Sequence, residues 1–224
     1  MKKIVLAVSI LACAMIFANC SSNNSPATPN DIMIKEFQTG ISPNPLYNGV
    51  SMTYIDEAYP DTTYETSTSG GVGVYLTKKR RTLVLFDLTT LIPKNVTVVK
   101  AYLTFFYATS GTFANFKAYK VTSYFSPFAT WNQSDYSYTD WTTAGGDYAT
   151  TAVSDDGIYQ LYNNYVTISL DTAMVSGWLK DAATNKGLLI KADNETTEAM
   201  TYLYTVNNGN MAITPKLTIY YRLP

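Results

Sequence analysis

Two neighbouring stretches limit the fold of this chain more than anything else in it. Thr82-Leu83-Val84-Leu85-Phe86-Asp87-Leu88 is a nearly continuous apolar run, the pattern of a strand buried on both faces. After a Pro93-Lys94-Asn95 turn, Val96 to Tyr107 alternates with period two. Ala101, Leu103, Phe105 and Tyr107 fall on one side, and Tyr102, Thr104 and Phe106 on the other. A chain with such segments at its centre must bury a sheet, and the flanking sequence supplies the rest of one. Gly73-Val74-Tyr75-Leu76 reads as a strand after a Gly70-Gly71 turn, and Phe116 to Tyr124 alternates again. Tyr165 to Leu170, Gly187 to Ala192, Ala199 to Val206 and Ile213 to Tyr221 read as later strands. Asp171 is placed to cap one short helix, with Val175, Trp178 and Leu179 on its apolar stripe. Residues 125–165 are loop-like. The expectation is about nine or ten strands and one short helix, an all-β jelly-roll-type antiparallel β-sandwich. The 19 tyrosines suit half-buried strand surfaces.

The N-terminus has a different logic. Met1-Lys2-Lys3 is a short cationic start, Ile4 to Phe17 is apolar apart from Ser9, and Ser21 to Asn30 is polar and rich in Ser, Asn and Pro. That order is a secretory signal over residues 1–19, shorter than a membrane span, followed by a flexible tether. Phe17-Ala18-Asn19-Cys20 resembles a lipobox, which makes Cys20 the expected acylated, palmitate-bearing residue. Ile10-Leu11-Ala12-Cys13 is a closer match, but cleavage there leaves Ala14-Met15-Ile16-Phe17 as an apolar start. Ordinary cleavage near Cys20, leaving a free thiol, is the alternative. The organisation expected is a signal at 1–19, a tether and lead-in at 20–48, and a β-domain at 49–224. Such a chain is exported and held by its N-terminal lipid at the outer membrane or cell surface.

Composition excludes several chemistries. There is no histidine, so Ser-His-Asp and Cys-His catalysis and His-ligated zinc or iron are ruled out. The two cysteines, Cys13 and Cys20, both precede the domain, which therefore has no disulfide and no thiol nucleophile. Lys2 and Lys3 leave with the signal, so 14 of the 16 cations remain against 17 anions, a net charge of −3. That balance is not the basic excess of a nucleic-acid-binding surface. The basic run Lys78-Lys79-Arg80-Arg81 reads as a solvated hairpin turn.

Several fragments resemble one family in order and spacing. Tyr54-Ile55-Asp56-Glu57-Ala58 with Pro60-Asp61-Thr62-Thr63-Tyr64 is similar to the opening of DNRLRE-type domains. Arg81 to Leu88, Ile92-Pro93 and Val99-Lys100-Ala101-Tyr102-Leu103 resemble that family's central signature, and Thr130-Trp131-Asn132 its Thr-Trp-Asn. Leu170-Asp171, Trp178-Leu179 and Asn185 to Leu189 resemble its helix and following strand, and Pro215 to Tyr221 its closing strand. The resemblance spans about Met52 to Arg222. It implies a jelly roll related to carbohydrate-binding modules, and it points away from an enzyme.

Sugar binding by a β-sandwich needs aromatic faces beside hydrogen-bonding groups. Residues 131–148 supply them most densely: Trp131, Tyr136, Tyr138 and Trp141 as platform rings, with Asp135, Asp140 and Asp147 for hydroxyls. Trp131 reads as core before platform, Trp141 as either, and Trp178 as core. Asp56 and Asp61, with Glu57, Asp155 and Asp156, are weak candidates for a structural Ca²⁺, although no segment has EF-hand spacing. The expected function is non-catalytic glycan binding at the envelope, a polysaccharide being the ligand. A protein-binding adhesin or structural envelope protein is the alternative.

Overall fold

The structure is a computed structural model that describes residues 31–89, 92–108 and 112–224. Residues 1–30, which hold the expected signal, Cys20 and most of the expected tether, lie outside the described residues. The described chain is all-β and antiparallel. Its strands are β1 (Met33–Gln38), β2 (Val50–Asp56), β3 (Ser69–Tyr75), β4 (Lys78–Phe86), β5 (Thr97–Ala108), β6 (Phe116–Val121) and β7 (Gln133–Asp135). After them come β8 (Thr139–Asp140), β9 (Tyr148–Ala152), β10 (Ile158–Gln160) and β11 (Tyr165–Ser169). Helix α1 (Thr172–Lys180) separates these from β12 (Leu188–Ala192), β13 (Ala199–Tyr204) and β14 (Lys216–Arg222). No described helix is long and apolar enough to cross a membrane.

One hydrogen-bonded path runs β1-β14-β5-β13-β3-β4-β12-β6-β9, with β2 added on β4, and β11 then β10 added on β5. The sheet is strongly curled, and both of its halves contribute to one core. Leu103 and Phe105 of β5, Val166 and Ile168 of β11, and Leu217 and Ile219 of β14 share one core with Met52, Val84, Phe86, Phe116 and Ile190 of the other half. The halves are joined by β13, which pairs β3 along its length and meets β5 at Tyr202↔Ala108 and Leu203↔Tyr107.

β4 carries the apolar run because it is buried twice. Val84 and Phe86 point into the main core, while Leu83 and Leu85 belong to a second cluster on the outer face. Helix α1 begins where expected. The Asp171 carboxylate accepts from the N–H groups of Ala173 at 2.6 Å and Met174 at 3.0 Å, and Val175, Trp178 and Leu179 are buried. Asp171→Ala is expected to cost about 1 kcal/mol by loss of this cap, read as a lower thermal midpoint.

Four expectations change. Gly70 and Gly71 are not a turn but lie in β3, paired with Leu203 and Tyr202, because their missing side chains do not interrupt the ladder. The folded domain starts by Met33, inside the segment read as lead-in: β1 pairs β14 over six residues and buries Phe37 completely. A single strand at the end of a polar tether has no sequence neighbour that reveals its partner. The loop-like 125–165 region contains β7 to β10, strands of two to five residues that are too short to show a period. The basic run is not a turn. The turn is Leu76-Thr77, at φ 47° and 66°, and Lys78 to Arg81 open β4. Arg80 and Arg81 are held in ion pairs with Asp56 and Glu195, both at 2.7 Å.

Candidate ligand-binding cleft

The outer face of the β2-β4-β12-β6 half presents Ile55, Leu83, Leu189 and Val121, an apolar surface that needs a cover. The aromatic loop is that cover: Phe125, Ala129, Trp131 and Trp141 come down on it to form the second cluster. Trp131 is 7% exposed and Trp141 5%. The Trp141 indole N–H donates to the Thr130 carbonyl at 2.9 Å, so its polar edge is satisfied inside. Trp131 is thus core, the reading preferred for it, and Trp141, which the sequence left open, joins it, so neither indole serves as a platform ring. Both tryptophans point inward, whereas Tyr136 and Tyr138, at 45% and 84% exposure, lie around the β7–β8 turn facing water. Asp135 accepts from the Ser126 hydroxyl at 2.6 Å and Asp140 from the Gln133 amide at 3.2 Å, bonds that stitch the loop together. The physical reason is area. Two large indoles gain more by covering a Leu/Ile face than by standing in solvent.

Asp147 is the expected site residue that opens onto a cavity. A cleft of about 370 Å³ lies between the 142–150 segment and residues 122–123. The hydroxyl-bearing residues Ser123, Thr142, Thr143 and Thr150 line it beside Asp147 and Tyr148. Asp147 accepts from the Ser123 hydroxyl at 2.9 Å, the Thr142 N–H at 3.0 Å and the Thr143 N–H at 3.1 Å. Partial burial pushes its carboxyl upward, but these donors outweigh it and hold the group below the usual carboxylate range. It stays ionised with acceptor capacity to spare.

Arg81 fastens this segment to the sheet. Its Nη1 donates to the Gly145 carbonyl at 2.7 Å, and its Nε and Nη2 grip Glu195 at 2.8 and 2.7 Å. The guanidinium lies 5.0 Å from the Trp131 ring centre and 5.4 Å from that of Tyr148. Gly145, at φ +92°, is required here: a Cβ would sit 2.7 Å from Arg81 Nη1 and 2.8 Å from the Trp131 ring. Tyr148 meets Tyr119 edge-on at 5.5 Å, and Lys191 Nζ stands 5.0 Å from the Tyr119 ring. The result is a row of hydroxyls, one fixed carboxylate and two half-buried tyrosine rings along β9 and β6. Arg81, Tyr119 and Lys191 were not legible as site residues. Their sole signal is strand parity, which puts them on the outer face.

Two of the calcium candidates, Asp56 and Asp61, are engaged by other partners. Asp56 is fully buried, accepting from Arg80 Nε at 2.7 Å and the Ala58 N–H at 2.8 Å. Asp61 accepts from the Asn132 amide at 2.8 Å. Among the described residues no three acidic side chains gather as a metal site.

No protein-family model matches the chain, and no curated protein matches it.

Proposed function

We propose that this is an exported, non-catalytic envelope protein, anchored by a lipid on Cys20, whose β-domain binds a neutral or weakly charged glycan in the Asp147–Tyr148 cleft. One observation carries the reading. Asp147, fixed by three hydrogen bonds, sits among threonine and serine hydroxyls beside the Tyr148 ring, on the outer face of a sheet. Sugars are bound by such a mixture of an apolar ring face and pre-oriented polar groups. The DNRLRE-like fragments and the two sheet halves contributing to one core support a jelly-roll assignment of the same domain. Isothermal titration against a panel of polysaccharides tests the function. Tyr148→Ala and Asp147→Asn should each weaken binding at least tenfold, while Tyr138→Ala leaves it unchanged. Binding that is indifferent to the first two substitutions, or absent across the panel, sinks the proposal.

A second reading, a protein-binding adhesin, is favoured by a different feature. The β10–β11 hairpin carries Ile158, Leu161 and Tyr162 at 65%, 68% and 97% exposure, an apolar group of the kind found at protein contacts. Capture of an envelope or matrix protein that is lost in Leu161→Asp with Tyr162→Ala, alongside a silent glycan panel, selects this reading.

A further inference from the structure

We infer that the edge formed by Ile32, Ile34, Tyr102 and Tyr220 is a membrane-resting surface, by which the domain lies against the lipid bilayer that anchors it. This rests on the anchorage reading above. Among the described residues β1 is an edge strand, paired with β14 alone. Phe37 faces inward and is fully buried, while Ile34 faces outward at 57% exposure and Ile32 at 50%. Ile34 stands opposite Tyr220, and Tyr220 opposite Lys100, in one cross-strand row. The Tyr102 and Tyr220 rings meet edge-on at 5.9 Å. With Val99 these residues line an apolar groove of about 350 Å³. Edge strands are usually blunted with charge; β1 carries Lys35 and Glu36, the latter paired with Lys216, and the exposed Ile32 and Ile34 leave its N-terminal end apolar.

Chain geometry selects the occupant. Ten residues, 21–30, separate Cys20 from Asp31. A connection of that length reaches at most about 40 Å. Ile32 and Ile34 are therefore among the folded residues tied nearest to the lipid, where the anchor makes the local concentration of bilayer very high. The side chains suit an interface. Isoleucines enter the headgroup boundary, tyrosine rings sit at its level with their hydroxyls toward water, and Lys100 can extend its ammonium past an apolar stem.

The test uses residues 20–224, which hold every described element and have Cys20 as the one thiol. That thiol is coupled to a maleimide-bearing lipid in phosphatidylcholine vesicles, and side-chain oxidation by hydroxyl radicals is read by mass spectrometry. A thiol-blocked sample in solution is the reference. Ile34 and Tyr220 should lose at least threefold in oxidation on coupling, with Tyr138 and Tyr162 unchanged. In the coupled Ile34→Asp variant, Tyr220 should react as it does in solution. Unchanged Ile34 and Tyr220, or equal protection at Tyr138 and Tyr162, overturns the inference. Because coupling replaces acylation, this outcome is independent of the anchor itself, which palmitate labelling of Cys20→Ser tests separately.

Discussion

Arg81→Met is expected to destabilise the domain by about 3 kcal/mol, because it strips a buried carboxylate of its counter-charge. The Arg81 and Glu195 side chains are 9% and 13% exposed, so water replaces little of what is lost. The substitution also leaves the Gly145 carbonyl without its donor and removes the cation from between Trp131 and Tyr148. Lys191 Nζ, 3.5 Å from Glu195, limits the damage. The urea midpoint should fall by roughly 1.5 M, at a slope of about 2 kcal/mol per M. The double variant Arg81→Met with Glu195→Leu should recover part of the loss, since no unpaired carboxylate then remains, although Lys191 loses its partner. A single variant within about 0.5 kcal/mol of the parent would show the pair to be ornamental, as many exposed ion pairs are.

The effect has a pH signature. Burial pushes Glu195 upward, but the Arg81 hydrogen bonds and charge, aided by Lys191, carry it below its ordinary value. A carboxyl depressed in the folded state contributes fully above its unfolded pKa, and that contribution is lost as the pH falls through the folded pKa. The gap between parent and Arg81→Met should therefore be complete at neutral pH and narrow on acidification below about pH 4.5, the ordinary glutamate range. A gap that widens in acid would contradict the assignment.

Gly73→Ala should be more damaging still. At φ +136° the residue is outside the conformations open to L side chains, and an added Cβ would lie 2.0 Å from the Ala199 carbonyl oxygen. The obstacle is backbone, so no rotamer relieves it. The β3–β13 ladder must separate, and β13 is the strand that links the two halves of the sheet. A loss of more than about 4 kcal/mol is expected, enough to leave little folded protein at ambient temperature. Gly177 of α1 provides the control, because a Cβ there meets nothing within 4 Å. Gly177→Ala should stabilise by roughly 0.5–1 kcal/mol through helix propensity. Equal midpoints for the two variants in urea melts would refute the steric account.

Much of this architecture was legible in the chain, for local reasons. Alternation over Val96 to Tyr107 identified β5 because a strand exposes its two faces in strict turn. The unbroken run from Thr82 announced a strand covered on both sides, and the structure supplies both covers. Asp171 and the stripe of Val175, Trp178 and Leu179 located α1 because cap and period are local properties. In the aromatic loop Trp131 was read as core and lies in the core, whereas Trp141 was open between core and platform. Trp141 could be placed only by knowing that Ile55, Leu83, Val121 and Leu189, from four separate strands, make one apolar surface beneath it. Asp147 was found as one acid among several, while its neighbours Ser123 and Thr150 come from segments that local pattern cannot join.

The chain alone therefore determined an antiparallel β-protein with one capped helix and no histidine or thiol chemistry in its domain. Those follow from composition and from periodicities measured over a few residues. The tertiary structure decided which aromatics face water, which acids are spent on arginines, and that Asp147 opens into a cleft. Those depend on register between distant strands, and a side chain's environment is set by whichever strand lies next to it in space.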